Sequence, residues 1–83
     1  MRDTTIPTEQ ILINRINAKT EFTFPSKARI PDVEPELLHR SHNPSLKYDD
    51  IYRDVYNAVG DIDSVLVGVR HFDGSYDVLR YKK

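Results

Sequence analysis

The stretch SVLVGVRHFDGSYDVLRY, residues 64–81, decides the fold. Two runs rich in β-branched and aromatic residues, 64–72 and 75–81, flank the dipeptide Asp73-Gly74. Asp-Gly is a favoured pair for a two-residue type I′ turn between antiparallel strands. The sequence therefore predicts a C-terminal β-hairpin.

Counting outward from a two-residue turn sets the expected register of the hairpin. Val69 then lies opposite Val78, and Arg70 lies opposite Asp77 as a cross-strand pair of opposite charges. In this register we expect one face of the hairpin to pack on the helices, and it carries Val65, Val67, Val69 and Val78.

The other face of the predicted hairpin is more apolar than a water-facing surface requires. It carries Leu66, Leu79 and Tyr81 in the expected register. Apolar groups of this size on one exposed face indicate a contact with another molecule. We therefore expect these three residues to form a second apolar patch or a homodimer contact.

Residues 45–60, SLKYDDIYRDVYNAVG, predict an amphipathic helix. Ser45 is expected to cap its first turn and Gly60 to end it. Apolar residues and tyrosines fill one continuous arc at helical spacing, and charged residues fill the other. Tyr48, Tyr52 and Tyr56 run from the middle of the apolar arc to its edge.

The N-terminal half predicts one helix and one short strand. Residues 8–19 favour a helix with Leu12, Ile13 and Ile16, together with Ile6, on one broad arc and Ile11 off it. Residues 20–24 alternate polar and aromatic side chains, which is typical of a strand.

The connection over residues 25–45 contains four prolines and is expected to be irregular, with one or two helical turns over residues 35–40. The expected fold is a single α+β domain over residues 1–83. Two main helices pack against one face of a three-stranded, largely antiparallel sheet. The sheet ends in the hairpin, and the strand around Phe22 adds to one of its edges.

Length and composition limit the classes of function. The chain has 83 residues, a net charge of −1 and no cysteine, so it holds no disulfide and no thiolate zinc site. No run approaches 18 consecutive apolar residues, and we expect a cytoplasmic protein without membrane contact. Near-neutral charge argues against a dedicated nucleic-acid binder.

Candidate catalytic and metal-binding groups are few. His39 and His42 stand three residues apart, but Asn43-Pro44 should end any helix that would align them. His71, near Tyr76 and Arg70 at the end of the hairpin, is typical of cross-strand packing. The sequence thus predicts no catalytic site, no metal site and no cofactor.

The sequence favours a small non-enzymatic domain that binds another protein, of the kind that phages and mobile elements encode as modulators or inhibitors of host proteins. The expected partner-binding residues lie along the acidic, tyrosine-edged helix: Asp49, Tyr52, Arg53, Asp54 and Tyr56. The alternative is a nucleic-acid-binding accessory module with a local basic patch of Lys27, Arg29, Arg40, Arg80, Lys82 and Lys83.

Overall fold

The computed structural model describes residues 8–43, 45, 47–60 and 63–82. These residues form, in chain order, α1 (Thr8–Ile16), β1 (Ala18–Phe24), β2 (Glu36–Ser41), α2 (Tyr48–Val59), β3 (Ser64–His71) and β4 (Tyr76–Lys82). The strands make one antiparallel sheet in the order β1-β3-β4-β2. The α+β class with two helices is confirmed, but the described sheet has four strands where three were expected.

The additional strand is β2, so the prediction of helical turns over residues 35–40 is wrong. β2 pairs with the outer edge of β4, which supplies backbone hydrogen-bond partners that the local sequence cannot report. Successive side chains of a strand point to opposite faces. Leu37 accordingly packs on one side of the sheet and Leu38 on the other.

The hairpin turn has three residues, Phe72, Asp73 and Gly74, instead of two. The backbone N–H of His71 donates to the carbonyl of Ser75 at 3.0 Å, which closes the loop. Gly74 has φ 92°, a left-handed conformation that glycine adopts without a steric cost. A three-residue loop that ends in a left-handed residue is the next most common hairpin connection.

This longer loop shifts the register by one residue, and Val69 pairs with Asp77 rather than with Val78. A shift of one residue moves every side chain of β4 to the opposite face of the sheet. One face therefore buries Val65, Val67, Val69, Leu79 and Tyr81. The other face buries Leu66, Tyr76 and Val78.

The expected exposed patch of Leu66, Leu79 and Tyr81 is consequently wrong. The three residues are 1%, 2% and 4% exposed, respectively. Leu66 packs on one face of the sheet, and the other two pack on the opposite face. They belong to the core and offer no surface for a homodimer.

The two helices cover opposite faces of the sheet, so the prediction that both lie on one face is also wrong. Ile11 of α1 joins the cluster that contains Leu79, and Tyr52 of α2 joins the cluster that contains Leu66. β3 presents apolar side chains on both of its faces. Each face needs a cover, because an exposed apolar sheet face is unfavourable in water.

Helix α1 buries a different side from the one its periodicity predicts. Ile11 is buried, whereas Leu12, Ile13 and Ile16 are 51%, 46% and 80% exposed. Ile6 lies outside the described residues. The helix ends at Ile16, three residues before its predicted end, and β1 begins two residues later.

Helix α2 agrees closely with its prediction. Gly60 ends it in the left-handed conformation, with φ 63°, and its N–H donates to the carbonyl of Tyr56 at 2.9 Å. The N-cap is Lys47 instead of Ser45, and its side chain makes no capping hydrogen bond. Neither α1 nor α2 has the length and apolar content needed to cross a membrane.

Candidate interaction site

Helix α2 packs its tyrosines across the aromatic residues of the edge strand β1. The rings of Phe22 and Tyr48 have their centroids 4.6 Å apart, and so do the rings of Phe24 and Tyr56. Tyr52 lies between these pairs and stacks on Phe24 at 6.4 Å. Such ring pairs stabilise a contact beyond the apolar area they bury. The aromatic contacts fix α2 against β1.

Tyr52 is the buried centre of this contact. Its ring lies directly over Gly68, where an added Cβ would come within 2.1–2.3 Å of Tyr52 atoms. Its hydroxyl donates to the backbone carbonyl of Phe22, the residue paired with Gly68. Burial raises the pKa of Tyr52 above its usual value. The expectation that Tyr52 offers surface to a partner is wrong, since only 4% of it is exposed.

A cleft of about 380 Å³ opens beside Tyr52, between α2 and β1. Phe22 lines this cleft and is 46% exposed, although it packs against Tyr48 on one side. Asp49 and Arg53 also line it; both are exposed, and they bring one acidic and one basic group to its wall. The cleft lining, which we call the α2/β1 cleft, consists of Phe22, Thr23, Phe24, Ser26, Asp49, Tyr52 and Arg53.

The structure brings together three of the five residues expected to bind a partner: Asp49, Tyr52 and Arg53. Tyr56 is half-buried and adjoins the cleft through Phe24. Asp54 is exposed, but it lies about 140° around the helix from Asp49, on the other side of its outer surface.

Phe22 and Phe24 also belong to this surface, although the sequence alone does not predict this. Their alternation in β1 places both on the face that α2 covers. That alternation was the available signal, but the position of α2 over β1 depends on the strand order of the sheet. The chain separation between the two elements hides this contact from local sequence patterns.

The basic residues of the nucleic-acid alternative fall into two groups. Lys27, Arg29 and Lys82 are exposed, and Lys83 lies outside the described residues. Arg40 donates to both oxygens of Asp77 at 2.8 and 3.0 Å. Arg80 donates to Glu36 through Nε at 3.0 Å. Two of the expected phosphate contacts are therefore directed at carboxylates of the same chain, which lowers the positive charge they offer.

A second, polar cleft of about 630 Å³ lies at the hairpin end of the opposite sheet face, with Asp77 in its lining. Nε2 of His71 lies 3.2 Å from this carboxylate, whose other contacts come from Arg40. His71 thus contacts Asp77 instead of the expected Tyr76. Because the side chains around it already satisfy the carboxylate, the cluster is suited to joining β2 to the hairpin.

Metal-binding geometry is lacking in the part of the chain that the structure describes, where no three His, Asp or Glu side chains converge on one point. His39 lies on β2, and its Nε2 is buried without a hydrogen-bond partner among the described residues. His42 is exposed beyond the end of the strand.

Comparison with known proteins provides no relative from which a function can be transferred. No family model, no curated protein and no solved structure matches this chain.

Proposed function

We propose that this protein is a non-catalytic interaction domain that binds another protein through the α2/β1 cleft. The observation that carries the proposal is Phe22, a large aromatic residue that stays 46% exposed at the edge of a cleft with charged walls. Binding surfaces combine an apolar, aromatic centre with a polar rim. Here Phe22 and Phe24 supply the centre, and Asp49 and Arg53 supply the rim.

The cleft is suited to one apolar side chain of the partner. Such a side chain would contact the rings of Phe22 and Phe24 and displace water from them. On its exposed side, α2 carries three acidic residues, Asp49, Asp50 and Asp54, and one basic residue, Arg53. The expected partner segment therefore places basic groups beside its apolar side chain, because complementary charge favours correct association.

Contacts within the chain hold the floor of the cleft in place. Its floor is Tyr52, which is held by its ring contact over Gly68 and by its hydrogen bond to Phe22. A surface that is already ordered loses less conformational entropy on binding. We expect that binding through the α2/β1 cleft modulates or inhibits the partner protein. An assay of the partner's own activity, with and without this protein, would measure the effect.

The test is a tagged pull-down from the lysate of the native host, with half of the sample treated with nuclease. Phe22→Thr removes the aromatic centre, and the matched control Phe72→Thr removes a phenylalanine that is 77% exposed at the hairpin turn. The wild type and Phe72→Thr are expected to retain one stoichiometric protein after nuclease treatment. Phe22→Thr is expected to lose it while its far-UV circular dichroism stays unchanged.

A second variant separates charge from packing. Asp49→Arg combined with Arg53→Asp exchanges the rim charges without changing the net charge or the buried contacts. We expect weaker capture by this variant. Equal capture by the wild type, Phe22→Thr and the charge exchange would contradict the proposal, and capture that disappears with nuclease would favour the nucleic-acid alternative.

A further inference from the structure

An exposed apolar surface surrounds α1 on the side of the sheet opposite to the α2/β1 cleft. Among the described residues, four of the six exposed large hydrophobic side chains belong to it: Leu12, Ile13, Ile16 and Val33. Leu12 lies in two adjacent clefts, one shared with Ile16 and β1 and one shared with Val33 and the proline-rich connection. We call these four residues the α1 surface.

Helix α1 has little else to stabilise it within the described chain. It has nine residues, and among its side chains that the structure describes only Ile11 lies in the buried core. Isolated helices of this length are unstable in water, and helices in proteins depend on packing of an apolar side. Leu12, Ile13 and Ile16 span about 100° of its circumference, as wide an apolar stripe as a packed helix presents.

The charges beside this stripe are arranged with opposite signs at its two ends. Glu9 is exposed in the first turn of α1, and Lys19, the second residue of β1, lines the cleft with Leu12 and Ile16. Neither residue forms an ion pair within the described chain. Arg15, which lies between them in the sequence, donates hydrogen bonds to Glu21 and to the Tyr81 hydroxyl within the chain.

We propose that the α1 surface is the interface between two copies of this chain. A two-fold contact places the same surface on both sides, so the surface must be complementary to itself. If the two helices run antiparallel, Leu12 of each copy meets Ile16 of the other. Glu9 of each copy then faces Lys19 of the other, whereas a parallel pairing would bring like charges together.

This interface leaves the α2/β1 cleft free, because the two surfaces lie on opposite faces of the sheet. The dimer would present two clefts and bind a repeated or oligomeric partner more tightly than one copy. The self-association itself does not depend on the proposed function. It is measured on the purified protein alone.

Sedimentation equilibrium from micromolar to near-millimolar concentrations tests the proposal. The wild type is expected to approach twice the chain mass of 9.7 kDa. Leu12→Ser combined with Ile16→Ser is expected to stay monomeric, with a circular dichroism spectrum that matches that of the wild type diluted to its monomeric range. Phe72→Ser, the matched control, removes an exposed apolar residue outside the α1 surface and is expected to dimerise as the wild type does.

A charge exchange identifies the occupant as a second copy. Glu9→Lys or Lys19→Glu alone makes both facing pairs repulsive and is expected to weaken dimerisation about tenfold. The double variant Glu9→Lys with Lys19→Glu restores opposite charges and is expected to restore the dimer. A wild type that stays monomeric throughout, a dimer that survives Leu12→Ser with Ile16→Ser, or a charge exchange that fails to restore association would each overturn the proposal.

Discussion

Replacement of Gly68 by alanine tests whether Tyr52 determines how α2 packs on the sheet. Gly68 lies within β3, paired with Phe22 on β1. A Cβ at this position would lie 2.1 Å from the Tyr52 hydroxyl oxygen, 2.2 Å from Cε1 and 2.3 Å from Cζ. These distances are far inside van der Waals contact. Two of the three atoms, Cε1 and Cζ, belong to the ring, so removing the hydroxyl alone would not relieve the clash. The ring must leave its position.

The magnitude follows from two opposing effects. Alanine in a strand interior is normally more favourable than glycine by about 0.5–1 kcal/mol, since glycine loses more backbone entropy. Removing a large aromatic side chain from a core costs about 3–5 kcal/mol, and the displaced Tyr52 also loses its hydrogen bond to Phe22. We therefore expect Gly68→Ala to lower the free energy of unfolding by about 2–4 kcal/mol.

Urea unfolding followed by far-UV circular dichroism measures this change, and a thermal melt should show a fall of about 10–25 °C. A double-mutant cycle with Tyr52→Leu assigns the cause, because the shorter side chain leaves room for the new methyl group. In the Tyr52→Leu background, Gly68→Ala should be neutral or slightly stabilising, which gives a coupling energy of about 2 kcal/mol or more. The reasoning is refuted if Gly68→Ala is neutral or stabilising in the wild type, or equally costly in both backgrounds.

Three further predictions concern charge, pH and backbone conformation. Asp77→Asn leaves Arg40 and His71 without their carboxylate and should cost about 2 kcal/mol in urea unfolding, whereas Glu36→Gln, at a half-exposed ion pair, should cost below about 1 kcal/mol. Burial raises the pKa of Tyr52, Tyr76 and Tyr81 above the value of about 10 for an unfolded chain. Because the folded state holds these protons more tightly, the stability they contribute is complete below about pH 10 and is lost as the pH rises further, which urea titrations at increasing pH would show. Gly60 and Lys27 both have φ 63°, so Gly60→Ala should destabilise by about 1 kcal/mol and Lys27→Gly should stabilise by about 0.5 kcal/mol in thermal melts.

Part of the candidate site follows from the helical spacing of α2 alone. Asp49 and Arg53 were predicted as partner-binding residues, and the structure places both on the wall of one cleft. Helical spacing sufficed to bring them together, since residues four apart share one side of a helix. The aromatic centre of the cleft comes from Phe22, more than two dozen residues earlier in the chain, and only the packing of α2 over β1 reveals it.

The sequence by itself determined the elements that local interactions specify. The alternating charges and tyrosines, ended by Gly60, predicted α2, and the β-branched runs around Asp73-Gly74 predicted the hairpin. These signals lie within a few residues of one another, so short-range periodicity and turn chemistry are enough to reveal them.

Only the tertiary structure decided the register of the hairpin, the identity of β2 and the buried side of α1. Because Phe72 belongs to the turn, every side chain of β4 lies on the face opposite to the predicted one. The sequence allows a loop of either two or three residues. Residues 36–41 form a strand because the edge of β4 offers backbone hydrogen-bond partners. Ile11 is buried because it is the side chain of α1 that packs on the apolar cluster of the sheet. In each case the energy comes from contacts between distant segments, which local sequence patterns do not encode.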